Sequence, residues 1–220
     1  LKEVSLNASP NKTAMKVSLT DAGKRFNRDW IFRHLTYNFH SGNSYAIIGP
    51  NGSGKSTLLQ IISGSMQLNE GNIQYQGNNG SLQPENIFQL ISICAPYLEV
   101  VEEMTVKEFF EFHRHFKPWI HGITDGDIIS VIGLDKAVNK QIRYYSSGMK
   151  QRVKLAQAIF SNAPILLLDE PCTNLDASGV KLYHRLIRDY TGNRLVVVSS
   201  NDEIEYNFCQ EKIDIISYKN

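Results

Sequence analysis

The chain has 220 residues, 42% of them hydrophobic, and a net charge of +1. That is enough apolar material for one large domain, or a core domain with a subdomain, and it gives no overall basic field of the kind that gathers nucleic acid, so no nucleic-acid partner is expected. No run of eighteen apolar residues occurs and the polar stretch Leu1 to Lys16 lacks the apolar core of a secretory signal, which leads us to expect a cytoplasmic chain with no membrane span of its own. Cys94, Cys172 and Cys209 are widely spaced with no C-x-x-C pair, so neither a disulfide framework nor a zinc site is expected.

In chain order, residues 1–15 carry no periodicity and are expected to form a loose leader, with Met15 a candidate natural start. The main domain is expected over 16–220. Val17 to Thr20 and Leu35 to Phe39 read as short antiparallel strands separated by the turn-prone Asn27-Arg28-Asp29. The apolar Tyr45 to Ile48 predicts a strand, and Leu58 to Ile62 a helix that stops near Gly64. Gly71 to Tyr75 predicts another strand, Asn78 to Ser81 a turn, and Ile87 to Ala95 a return to the sheet.

Between that strand and helix lies Gly49-Pro50-Asn51-Gly52-Ser53-Gly54-Lys55-Ser56-Thr57, which fills the pattern G-x-x-x-x-G-K-[ST]. Glycines there let successive backbone N–H groups curl round a phosphate, and the helix N-terminus behind them adds about half a positive charge. Gly49, Asn51, Gly52, Ser53, Gly54, Lys55, Ser56 and Thr57 are therefore candidate phosphate-binding residues. Lys55 is placed to reach the β- and γ-phosphates, and the Ser56 hydroxyl to ligate Mg²⁺.

Further along, Thr105 to Glu108 reads as a capping box, with Val106, Phe109, Phe110, His113 and Phe116 at helical spacing. Phe109, Phe110, Phe112 and Phe116 are expected to be core, with an aromatic docking surface for a partner as the alternative. A helical insertion is expected over about 97–160, followed by two apolar runs, Ile165 to Leu168 and Leu195 to Val198, of the kind buried in a parallel sheet. Asp169 and Glu170 close the first run at the edge where such sheets bind ligands. Asp169 is the candidate Mg²⁺ ligand, and Glu170 the candidate base that orients a water for attack on the γ-phosphate. The predicted fold is α/β: a P-loop NTPase core with a mainly parallel sheet, an antiparallel β subdomain near the N-terminus and an inserted helical subdomain.

With these residues in hand, the chain resembles the nucleotide-binding subunits of ATP-binding-cassette (ABC) transporters. Tyr145-Ser146-Ser147-Gly148-Met149, followed by Lys150-Gln151-Arg152, resembles the family signature Leu-Ser-Gly-Gly-Gln with its trailing Gln-Arg, and Thr173 to Asp176 resembles the D-loop. The resemblance spans about residues 16–217. It implies an ATP- and Mg²⁺-dependent ATPase that powers a separate membrane permease, peripheral at the inner face of the membrane. It also implies a homodimer or heterodimer of cassettes closing head to tail on two ATP molecules, with Ser146 and Gly148 meeting the γ-phosphate held by the other subunit. Phe26 resembles the aromatic position that stacks on adenine. Small exporter-type subunits, including the haem-exporter and drug-resistance branches, are the similar group. The alternative is a soluble, non-transport ABC ATPase such as an iron–sulfur cluster assembly factor.

Ser147 and Met149 depart from the signature, and two further departures bear on turnover. Asn201 stands where the family places a γ-phosphate-sensing histidine, and asparagine donates a hydrogen bond without carrying charge. Pro96 stands where a glutamine normally touches Mg²⁺ and the attacking water. Both point to slow hydrolysis, while Glu170 argues against a dead site, and Lys55, Glu170 and Asn201 form the expected catalytic set.

Overall fold

The structure, a computed structural model, describes residues 14–78 and 80–219. Residues 1–13 of the expected leader lie outside them. Met15, its last residue, instead belongs to the core: it is buried, and its carbonyl accepts the Ser41 N–H at 2.8 Å.

The chain divides into two compact units. The first to be described comprises Thr13–Pro96, Ala163–Pro171 and Asn193–Asn220. It contains an antiparallel sheet of β1 (Lys16–Phe26), β2 (Asp29–His40), β4 (Glu70–Gly77) and β5 (Gly80–Leu82), in the order β2-β1-β4-β5. Its second sheet is β3 (Ser44–Ile48), β6 (Ile91–Cys94), β7 (Ile165–Asp169), β8 (Leu195–Ser199) and β9 (Glu211–Asp214), in the order β6-β7-β8-β3-β9 with parallel pairing throughout. The helix α1 (Lys55–Ile62) follows β3. Side chains alternate across a strand, so Tyr45 and Ile47, Ile165 and Leu167, and Leu195 and Val197 share one face of the parallel sheet. These residues join Leu58, Leu59, Ile61 and Ile62 of α1, and Val17, Leu19, Phe32, Leu35 and Phe39 of the antiparallel sheet, in one buried cluster.

Several sequence expectations shift in this unit. The first two strands run longer than their apolar runs, because polar residues such as Thr20 and Asp21 occupy the solvent side. The segment expected to return to the sheet from Ile87 is a 3₁₀ helix over Pro84–Leu90, and only Ile91–Cys94 is strand. Pro84 sits in the first turn, where its fixed φ and missing N–H fit a helix start, so Ile87 is buried as a helix residue. The expected turn at Asn78 to Ser81 is the tip of the β4–β5 hairpin, with Gly77 paired to Gly80; Asn79 lies outside the described residues.

The second unit contains Tyr97–Asn162 and Cys172–Gly192, so a later helix joins the helical stretch that ends at Phe160. It holds α2 (Val106–Arg114), α3 (Asp125–Val131), α4 (Ser147–Phe160) and α5 (Ala177–Tyr190). The Thr105 and Glu108 capping box forms: the Glu108 N–H donates to Thr105 Oγ1 at 3.3 Å and the Thr105 N–H to Glu108 Oε2 at 2.8 Å. A second box, Thr124 with Asp127, starts α3. Phe109 and Phe110 are buried as expected, but Phe112 and Phe116 are exposed and pack on each other with ring centroids 5.1 Å apart. The helix ends at Arg114, so the register that would have carried Phe116 inward is lost before it.

Candidate functional site

In the sheet unit the residues 49–54 join β3 to α1 and form the phosphate loop. Gly49, Gly52 and Gly54 have φ of 146°, 75° and 108°, in the left-handed region that glycine alone enters freely. At Gly54 the need is also steric, since a Cβ would lie 2.2 Å from Ile31 Cγ2. Gly54 is the N-cap of α1 and offers no side chain to the first-turn amides of Lys55, Ser56 and Thr57. Those amides are left without a side-chain cap, the state in which a helix N-terminus can receive an anion. The Lys55 side chain is 5% exposed and its Nζ donates to the carbonyls of Gly49 at 2.8 Å and Pro50 at 3.2 Å, lying back along the loop it would leave for a phosphate.

Asp169 ends β7 and is 2% exposed, and its Oδ1 has no hydrogen-bond partner among the described residues. Ser53 Oγ, beside Gly49, is buried and unpartnered in the same way. A buried acceptor left unmade costs about 1–3 kcal/mol, and such groups are rare in folded proteins unless a ligand, ion or water completes them. Glu170 follows with φ of 43°, a left-handed backbone that a glutamate adopts only under constraint, and its N–H donates to the Ser199 carbonyl at 2.9 Å. Asn201, just past β8, donates from Nδ2 to Asn51 Oδ1 of the phosphate loop at 3.1 Å. The unit thus brings Lys55, Ser56, Asp169, Glu170 and Asn201 to one edge of the parallel sheet.

The donor set suits Mg²⁺. A hydroxyl, Ser56, and a carboxylate, Asp169, whose Oδ1 is unpartnered among the described residues, are hard oxygen ligands, and Mg²⁺ is commonly held by one or two carboxylates together with substrate phosphates. Among the described residues no group of three or more His, Cys, Asp or Glu forms a self-sufficient metal cage.

Phe26, at the end of β1, is 46% exposed, with the Lys24 ammonium 5.3 Å over its ring centroid. Pro96, past β6, is exposed and brings no side-chain donor.

The signature lies in the helical unit. Ser146 caps α4, accepting the Met149 N–H at 3.3 Å, and Gly148 passes so close to the chain that a Cβ there would lie 3.1 Å from the Asn174 carbonyl. Ser146, Gly148, Lys136, Arg152 and Asp176 line a cavity of about 410 Å³. Asp176 accepts from the Gly179 N–H and the Ser178 hydroxyl, which hold its carboxyl below the usual range.

Sequence reasoning did not single out Ser199. Its hydroxyl is buried with no hydrogen-bond partner among the described residues. The available signal was a serine closing the buried run Leu195 to Val198.

The family model described as ABC transporter matches residues 32–173, well over half of the chain. The chain is 29% identical over 207 residues to the uncharacterized ABC transporter ATP-binding protein YybJ of Bacillus subtilis (strain 168), covering 90% of this chain and 92% of that protein. It is 28% identical to the cytochrome c biogenesis ATP-binding export protein CcmA of Haemophilus influenzae, covering 93% and 97%. A solved ATP-binding cassette, in a dimeric post-hydrolysis state bound to ADP and Pi, superposes with a TM-score of 0.74 at 22% identity, covering 90% of this chain and 94% of that one.

Proposed function

The chain belongs to the ABC transporter family, and from that premise we propose that it is a Mg²⁺-dependent ATPase subunit that energises transport through a separate membrane permease. The observation that carries this reading is the meeting at one sheet edge of the phosphate loop, Asp169 with its unpartnered oxygen, the left-handed Glu170, and Asn201 bonded to Asn51.

In this reading Lys55 exchanges its uncharged carbonyl partners for the β- and γ-phosphates, so the ammonium gains acceptors of opposite charge. The amides of the phosphate loop cradle the same oxygens, and Phe26 stacks on adenine. Ser56 and Asp169 would hold Mg²⁺, which would supply positive charge to the transferred phosphoryl group. Glu170 orients the attacking water and accepts its proton. Asn201 donates an uncharged hydrogen bond toward the γ-phosphate, which makes turnover slow.

Two cassettes close head to tail, and Ser146 and Gly148 at the start of α4 receive the γ-phosphate held by the other subunit. The dimeric, ADP- and Pi-bound cassette of the same fold supports that arrangement. Among the described residues no helix is long and apolar enough to cross a membrane, so the transport path is assigned to a partner chain, with this one peripheral at the cytoplasmic face. The test is equilibrium binding of ATP with Mg²⁺ to the wild type and to Lys55→Ala. Binding that the substitution weakens by about a hundredfold supports the reading; equal binding overturns it.

A further inference from the structure

We infer that Ser199 is a positioning residue for the metal-binding carboxylate, its hydroxyl fixing Asp169 Oδ1 when Mg²⁺ and nucleotide are bound. The inference rests on the nucleotide-site reading above and adds a residue to it.

Register is the first support. Asp169 and Ser199 are direct partners in the parallel pairing of β7 with β8, and Ser199 is in turn the partner of Ile47 in β3. Partners opposite one another in a sheet present their side chains on the same face, and strands of a sheet lie about 4.8 Å apart. Ser199 Oγ and the Asp169 carboxylate are thus neighbours across one strand gap, near enough to meet by rotation about χ1 or through a single water.

The face is the second support. Residues two apart share a side, so Asp169 continues the row of Ile165 and Leu167, and Ser199 that of Leu195 and Val197. Those four residues belong to the cluster that packs against Leu58, Leu59, Ile61 and Ile62 of α1. Ser199 therefore faces the helix whose first residues are Lys55 and Ser56, in the last row of the sheet before the edge where ligands of such folds bind.

The third support is the hydrogen-bond account. Ser199 is fully buried, its Oγ has no partner among the described residues, and neither has Asp169 Oδ1. A hydroxyl is a donor and a carboxylate is an acceptor, so each supplies what the other lacks. The hydroxyl of this serine, in an otherwise apolar strand and unpartnered among the described residues, gains a partner when the carboxylate beside it is drawn into place. Such outer partners of a metal-binding carboxylate orient it, and their loss typically weakens metal affinity by about tenfold or more.

The experiment titrates Mn²⁺, followed by electron paramagnetic resonance, into the full chain saturated with a non-hydrolysable ATP analogue. Wild type, Ser199→Ala and Ser199→Thr are compared, together with thermal melts of each protein free of ligand. The expected result for Ser199→Ala is a Mn²⁺ dissociation constant raised about tenfold, with an unchanged or higher melting temperature because a buried unpaired hydroxyl has been removed. Nucleotide affinity measured in a chelator is expected to stay the same. Ser199→Thr, which keeps the hydroxyl, should recover most of the loss. A Mn²⁺ affinity in Ser199→Ala within twofold of a tightly binding wild type would overturn the inference, as would a loss matched by a fall in melting temperature that threonine does not rescue. Failure of the wild type itself to hold Mn²⁺ with the analogue would instead count against the nucleotide-site reading on which the inference stands.

Discussion

Asn201 Nδ2 donates to Asn51 Oδ1 at 3.1 Å, joining the turn after β8 to the phosphate loop across 150 residues of sequence. The bond puts a neutral amide at the rim of the loop. A charged donor there would interact with a phosphate more strongly, adding coulombic attraction to the hydrogen bond. Asn201→His is expected to raise kcat about tenfold or more when the ring is protonated, with the gain fading as pH rises above the usual histidine value. Steady-state rates between pH 6 and 8 check this, and a flat, unchanged profile would show that Asn201 is not limiting.

Glu170 has φ of 43°, a conformation that costs a non-glycine residue on the order of 1 kcal/mol. Glu170→Gly should relieve that strain and match or exceed the wild type in thermal melts, while abolishing hydrolysis. Glu170→Gln keeps the shape and loses the base, so it should bind ATP, cut kcat by at least about a hundredfold and accumulate as a dimer on size exclusion. Unchanged hydrolysis in Glu170→Gln would remove Glu170 from its role.

Phe26 is half-exposed with Lys24 over its ring, and under the proposed reading it stacks on adenine. Stacking of a base on an aromatic ring is worth about 1–3 kcal/mol, so Phe26→Ala should raise KM for ATP about tenfold and leave kcat close to wild type, the pattern of lost uniform binding. Phe26→Tyr should retain the low KM.

His113 ties α2 to α4. Its Nε2 meets Ser161 Oγ at 2.8 Å, Gln157 Nε2 donates to its Nδ1 at 3.1 Å, and its ring stacks on Trp119. Burial, with a smaller contribution from Lys117, pushes its pKa down to about 4. The unfolded chain therefore takes up a proton as pH falls through about 6.5 while the folded chain resists until about 4, so stability is full above that window and lost on descending through it. Because the ring is part-exposed, the loss is discounted to on the order of 1 kcal/mol. Melting temperatures at pH 7 and 5 should converge in His113→Gln.

The geometry of the proposed site was legible wherever it is local in sequence. The phosphate loop is contiguous, and its glycines adopt positive φ as the motif requires; Asp169 and Glu170 close an apolar run that forms the buried strand β7. What escaped reading depends on register and packing. The partnership of Asp169 with Ser199 exists only once β7 pairs with β8 in one alignment, and the bond from Asn201 to Asn51 only once β8 lies beside β3. The segment from Ile87 is apolar in either conformation, so Pro84 decided its first part in favour of a 3₁₀ helix. Phe116 keeps helical spacing on paper, yet the helix stops at Arg114 and the ring stays outside.

The most direct test of the account is steady-state release of phosphate from ATP and Mg²⁺ by the purified chain beside its Lys55→Ala variant. The account predicts slow but measurable hydrolysis that depends on Mg²⁺ and falls by at least about a hundredfold in the variant. Hydrolysis that survives the loss of Lys55 unchanged would contradict it.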